Sequence, residues 1–178
     1  MIRITGGQFR SRLLKTPNTI KTKPTMDKVR QGVFSSIGER IIDASVLDLF
    51  AGSGSYGFES LSRGAKSSTF VDNGRLQINI IKDNARALMC EDLSNIIFKD
   101  CLSFLKETND RFDIIFVDPP YALDVYYQII DLVFNKNIIN ENGLLILESE
   151  NELKIDENIF KIKLLKYGTA KIYIIRRK

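Results

Sequence analysis

The chain of 178 residues contains no histidine. That absence excludes Ser-His-Asp and Cys-His nucleophilic sites and any His-ligated zinc. Cysteine is nearly absent too. Cys90 and Cys101 are the only two, which provides no disulfide framework and suits a reducing compartment. No stretch approaches the roughly 20 uninterrupted apolar residues that a membrane-spanning helix needs. The opening "MIRITGGQFRSR" lacks the apolar centre of an export signal, so a cytoplasmic protein is expected. The chemistry left open is that of carboxylates, backbone groups or a reactive cofactor, and no metal is expected.

What charge there is lies unevenly. Residues 1–30 carry eight Lys/Arg against one acid, a formal +7, and residues 161–178 carry seven basic side chains and no acid. Between them, residues 31–160 hold twenty-one acids against eleven bases, a formal −10. Two basic ends around an acidic middle suit ends that meet a polyanion while the middle does something else. Scattered, solvated lysine is the plainer reading of the same pattern.

Apolar periodicity orders the chain as one α/β unit. "IRITGGQFRSRLL" reads as two short strands around Gly6-Gly7, and the polar stretch from Lys15 to Pro24 as loop. After Pro24, Thr25 is a candidate N-cap for a helix whose Val29, Val33, Phe34 and Ile37 share one face. From residue 45 strands and helices alternate: "SVLDLF", "SSTFV", "NIIF", "FDIIFV" and "GLLILE" are strands with helical segments between them. The end, "FKIKLLKYGTAKIYIIRRK", reads as two strands around Gly168. This predicts a Rossmann-like, mostly parallel seven-stranded sheet with an antiparallel C-terminal hairpin strand and helices on both faces. The expected division is a basic hairpin-and-loop extension over 1–24 and the main domain over 25–178.

The first strand runs into "DLFAGSGSYGFE", where Gly52, Gly54 and Gly57 fit G-x-G-x-x-G between a strand and a helix. Asp72 ends the next strand, twenty residues on, where a ribose-binding acid belongs. By pattern alone the loop could serve NAD or FAD. Asp48, four residues before Gly52, selects among ligands: a carboxylate beside a pyrophosphate would repel it, whereas the methionine end of S-adenosylmethionine carries an ammonium and a sulfonium. Asp100 follows the third strand on the same edge. One acid there would be an ordinary helix cap; three at consecutive strand ends predict a site for S-adenosylmethionine built from Asp48, Phe50, Gly52, Gly54, Asp72 and Asp100.

The fourth strand ends in "VDPPY". Two prolines stop a strand and fix a rigid loop, but that leaves Asp118 and Tyr121 unexplained. D-P-P-Y resembles the motif of methyltransferases that act on planar amino nitrogens. Such a nitrogen has a delocalised lone pair, and two acceptors against its N–H groups hold it for attack. Asp118 and the Pro119 carbonyl are the expected acceptors, with Tyr121 as a face on which an extruded base stacks.

Four stretches, "GGQFRSRLL", "KPTMDKVRQGVF", "LDLFAGSGSYGFESLSRGA" and "FVDPPY", resemble the RsmD family of bacterial ribosomal RNA guanine-N2 methyltransferases. The resemblance covers essentially the whole chain. It implies methylation of one guanine amine in the 16S ribosomal RNA of the small subunit or an assembly intermediate. Oligomeric state is not legible in the sequence, though a monomer would be enough. The resemblance also implies an RNA-docking role for the basic N-terminal segment, with Arg10, Arg12, Lys23 and Arg30 as candidate contacts. Arg30 has an alternative, pairing with an internal acid. The chain departs from the family at Gln31, Ser60 and Asp72, the last being shorter than the glutamate common there. Three rival readings stand beside it. A DNA adenine-N6 methyltransferase also uses D-P-P-Y but usually adds a target-recognition region for which this chain has no insertion. A protein-glutamine methyltransferase generally has Asn in place of Asp118. A noncatalytic RNA-binding module would leave the glycine loop and its acids without a use.

Overall fold

The computed structural model describes residues 1–17, 24–120 and 123–178. Two short strands, β1 (Ile2–Arg3) and β2 (Leu13–Leu14), precede helix α1 (Pro24–Ile37). The main unit then runs β3 (Ser45–Leu49), α2 (Ser55–Ser62), β4 (Ser67–Asp72), α3 (Arg75–Leu88), β5 (Ser94–Phe98), α4 (Cys101–Glu107), β6 (Phe112–Val117), α5 (Tyr126–Asn135), β7 (Ile139–Ser149), β8 (Phe160–Tyr167) and β9 (Ala170–Arg177). The seven long strands form one sheet in the order β5-β4-β3-β6-β7-β9-β8. Neighbours are parallel from β5 through β7, while β9 is antiparallel to both β7 and β8.

The central strands are apolar because both faces of the sheet are covered. Val46, Phe70, Ile114, Phe116 and Ile146 point into a core closed by α1, α2 and α3. Leu47, Leu49, Val71, Ile115 and Leu147 point into a second core closed by α4 and α5. β3 is the strand from which the order runs outward in both directions, to β4 and β5 on one side and to β6 and β7 on the other. Such a switch point leaves a crevice at the carboxyl ends of its strands, where ligands of open α/β sheets bind.

The N-terminal segment differs from a plain hairpin. β1 and β2 pair only over Ile2↔Leu14 and Arg3↔Leu13, and Gly6-Gly7 is not the tip of a two-residue turn. Its glycines serve close approach instead: a Cβ on Gly7, whose φ is +75°, would fall 1.7 Å from the Ser62 carbonyl oxygen. The Gln8 N–H donates to that oxygen at 2.8 Å, satisfying a carbonyl at the end of α2 that has no partner within its helix. Ile2, Ile4 and Leu14 are buried in the core shared with α1, α2 and α3. Helix α1 begins at Pro24 itself, so Thr25 lies inside the first turn and is not the N-cap. Proline is well suited to that first turn, where its missing N–H would have had no partner.

Candidate active site at the switch point

The carboxyl edge collects the residues that the sequence singles out. β3 carries Asp48 to the edge, buried at 2% exposure, where its Oδ2 accepts the Gly57 N–H at 2.9 Å. One step further, Phe50 adopts φ +57°, a left-handed conformation uncommon for a bulky residue outside functional sites. That turn lets the Phe50 N–H donate to the Cys101 sulfur at 3.3 Å and sends the chain into Gly52 and Gly54, both at positive φ. Gly54 is also sterically required, since a Cβ there would sit 2.6 Å from the Phe58 ring. The loop ends at the N-terminus of α2.

Asp72 closes the loop from the β4 side. Its Oδ2 accepts the Gly52 N–H at 2.9 Å and its Oδ1 the Gly74 N–H at 2.8 Å, so the carboxylate ties two strand-end turns together. Asp100 stands farther out. It is exposed and caps α4, accepting the Ser103 N–H at 2.9 Å, the role of an ordinary helix cap.

Asp118 leaves β6 beside this loop. Val117 is in register with Leu49 on one side and Leu147 on the other, which sets Asp118 between the turn at Phe50 and the end of β7. Pro119 is buried and Pro120 exposed, and the Leu123 N–H donates to the Pro120 oxygen at 2.9 Å. Tyr121, the expected stacking face, and Lys23, an expected RNA contact, lie outside the described residues.

Two further residues belong to the edge and were not singled out in the sequence. Glu148, on β7, accepts the hydroxyl of Tyr56 at 2.9 Å, and Tyr56 in turn stacks on Phe116 with ring centroids 4.8 Å apart. Glu148 had a legible signal: it follows the apolar run "GLLIL" at the same edge as the three strand-end aspartates. Tyr56 had none, because an aromatic in a glycine loop reads equally as core.

Electrostatically the edge is an acid cluster, and among the described residues no salt bridge reaches Asp48, Asp72, Asp118 or Glu148. Burial pushes the Asp48 carboxyl up to about 8, opposed by the Gly57 hydrogen bond and assisted by Asp72. Burial, then Glu148 and Asp48, hold Asp118 well above the usual carboxylate range. Burial raises Glu148 too, against the Tyr56 hydrogen bond and the more distant Arg30. Converging carboxylates that resist ionisation relax when a cation is placed among them. The donor set therefore suits a cationic cofactor and disfavours a pyrophosphate, and the glycine loop leaves room for backbone approach.

The basic residues proposed for docking separate. Arg10 is exposed. Arg12 is exposed but spans to the Ala87 carbonyl at the end of α3. Arg30 is not available for docking: it is 3% exposed, bonded to Glu59 at 3.2 Å and to Asp27 at 2.8 Å. Glu59, itself fully buried, also accepts the Thr5 hydroxyl at 2.7 Å and Arg63 at 2.8 Å. Arg30 thus takes the alternative of an internal ion pair, because α1 points it at α2 rather than at solvent.

Known proteins resemble the chain along nearly its whole length. Residues 2–176 match the family model described as Conserved hypothetical protein 95. Ribosomal RNA small subunit methyltransferase D of Haemophilus influenzae is 36% identical over 154 residues, spanning 85% of this chain and 80% of that protein. The Escherichia coli protein of the same name is 34% identical over 151 residues, spanning 85% and 76%. The solved structure of Escherichia coli yhhF superposes with a TM-score of 0.89 at 31% identity, covering 99% of this chain and 98% of that one.

Proposed function

The chain belongs to the family described as Conserved hypothetical protein 95, and from the site and from its likeness to the proteins named ribosomal RNA small subunit methyltransferase D we propose that it methylates the exocyclic N2 of one guanine in small-subunit ribosomal RNA, using S-adenosylmethionine. What carries the reading is the meeting, at the switch point of the sheet, of an acid cluster suited to a cation with the Asp118-Pro119 loop. Relatives bearing the name ribosomal RNA small subunit methyltransferase D support the RNA class. Among the described residues no helix is long and apolar enough to cross a membrane. A ribosomal RNA substrate puts the proposed action in the cytoplasm.

S-adenosylmethionine supplies the methyl group from its sulfonium. Asp48, Phe50 and the loop from Gly52 to Gly54 are the residues that would hold its methionine end, and Asp72 and Asp100 line the way toward β4 and β5. Asp118 and the Pro119 carbonyl accept the two N–H groups of the guanine amine and hold its nitrogen for in-line attack. Transfer would form the N–C bond as the sulfonium S–C bond breaks, with S-adenosylhomocysteine as the leaving group. The methylated nitrogen would carry a positive charge and shed one proton, for which Asp118 and Glu148 are the candidate bases on the edge. No covalent bond to the protein forms. Residues 1–24 are proposed as the docking extension, through Arg10, Arg12 and Lys23, acting in a monomer.

Tritium transfer from labelled S-adenosylmethionine tests this. With RNA, DNA and protein from cells lacking the gene as acceptors, label is expected in small-subunit ribosomal RNA, at one guanine. Label in DNA adenine or in protein would replace the reading.

A further inference from the structure

The two edges of the sheet are opposite in charge. The carboxyl edge gathers Asp48, Asp72, Asp118 and Glu148, none of which would attract a phosphate chain. At the amino edge, the start of β7, the start of β8 and the end of β9 enclose a concavity of about 960 Å³. Arg111, Lys161, Arg176, Arg177 and Lys178 line it, against one acid, Glu141.

These cations are arranged in a way that folding alone does not favour. Lys161 and Arg176 are directly paired across β8 and β9, a like-charge pair that destabilises a ladder. Among the described residues none of the five makes an ion pair. The Arg177 guanidinium lies 5.9 Å from the centre of the Phe134 ring, so one charge is held in place on the wall instead of waving in solvent. An uncompensated row of cations around a groove fits a ligand that brings its own regularly spaced negative charge.

We infer that this groove is a second binding site, for the phosphodiester backbone of a structured RNA, remote from the methylated base. The inference rests on the reading of RNA as substrate and adds a location to it. β6 alone, six residues long, separates the two edges by roughly 20 Å at 3.3 Å per residue. The phosphates held here therefore belong to nucleotides distant from the target or to another helix of the folded RNA. Recognition of that kind reads backbone shape and not sequence. It would let the protein grip a structured particle while its acidic edge meets only an extruded, uncharged base.

Two variants of the full chain test it: Lys161→Gln with Lys178→Gln, both exposed, and the same pair with Arg177→Gln. Binding to small ribosomal subunits would be measured across a salt series, with S-adenosylmethionine affinity, melting temperature and steady-state methylation followed in parallel. The triple variant is expected to bind at least tenfold more weakly near 0.15 M salt, with the log–log salt slope reduced by about 0.7–0.9 for each phosphate that it no longer neutralises. KM for the particle should rise at unchanged kcat, with cofactor affinity and melting unchanged. An unaltered slope and KM in a folded triple variant would overturn the groove. So would a lowered melting temperature in the double variant, which would make these lysines structural. If the unaltered protein methylates no ribosomal RNA, the proposed function fails; if it does and the variants match it, only the groove fails.

Discussion

Burial holds the Asp48 carboxyl protonated to about pH 8 in the free protein, so its titration links stability, pH and ligand charge. An unfolded aspartate titrates near 3.9. Because the folded value is the higher one, the folded state binds the extra proton between those limits. Asp48's contribution to stability is thus complete below about pH 4 and lost as pH rises toward 8. A cation bound beside it favours the ionised form. S-adenosylmethionine affinity should therefore strengthen from pH 6 to 8 with release of a proton, measurable by calorimetry in buffers of different ionisation enthalpy. Asp48→Asn keeps an acceptor for Gly57 and should flatten that dependence; an equally steep profile in the variant would remove Asp48 from the cofactor site. Arg30 makes a different kind of statement. Removing one partner of a buried pair strands the other, typically at a cost of about 3–5 kcal/mol. Glu59 would keep Arg63 and Thr5, so Arg30→Ala should cost less than that but still lower the melting temperature, and a variant that melts normally but loses RNA affinity would restore the docking role.

Between residues and the whole, the glycine loop and α2 act as one element. A Cβ on Gly57 would fall 2.2 Å from the Phe70 ring and 2.6 Å from the Ser68 hydroxyl, so Gly57→Ala must push α2 off β4 and draw its N–H away from Asp48. Overpacking of this kind typically costs about 1–3 kcal/mol, and we expect both a lowered melting temperature and weakened cofactor binding. At Gly52 the surroundings are open, the nearest atom lying 3.9 Å away, but φ is +58°. Gly52→Ala should cost about 1–2 kcal/mol from backbone strain alone, with a smaller loss of binding than at Gly57. Measuring both variants by denaturation and calorimetry separates steric from conformational need. These elements were legible in sequence because the order of β3, α2 and β4 follows from apolar runs broken at glycine, and a buried parallel strand has few other ways to read. Less legible was the start of the chain, where Gly6-Gly7 looked like a turn. Their use depends on the Ser62 carbonyl, fifty-odd positions away, and no local pattern reports an approach of that range. Arg30 was obscure for the same reason. Whether an arginine off the apolar stripe meets solvent or a buried glutamate is decided by the helix packed opposite it.

At the scale of the molecule, the fold places an acid cluster and the Asp118-Pro119 loop at one edge of the sheet and, at the other, cations that make no ion pair among the described residues, so that the proposed base chemistry and the proposed backbone grip are kept apart. Asp118 is proposed to act on the target amine and not on the cofactor. That separates binding from chemistry, because an acceptor that engages the nitrogen as it attacks contributes mainly in the transition state. The most direct measurement is single-turnover methylation of small ribosomal subunits by Asp118→Ala, with S-adenosylmethionine affinity determined on the same preparation. Cofactor affinity should stay close to that of the unaltered protein while the transfer rate falls by several orders of magnitude. Transfer at near the unaltered rate, or loss of cofactor binding in step with loss of transfer, would contradict it.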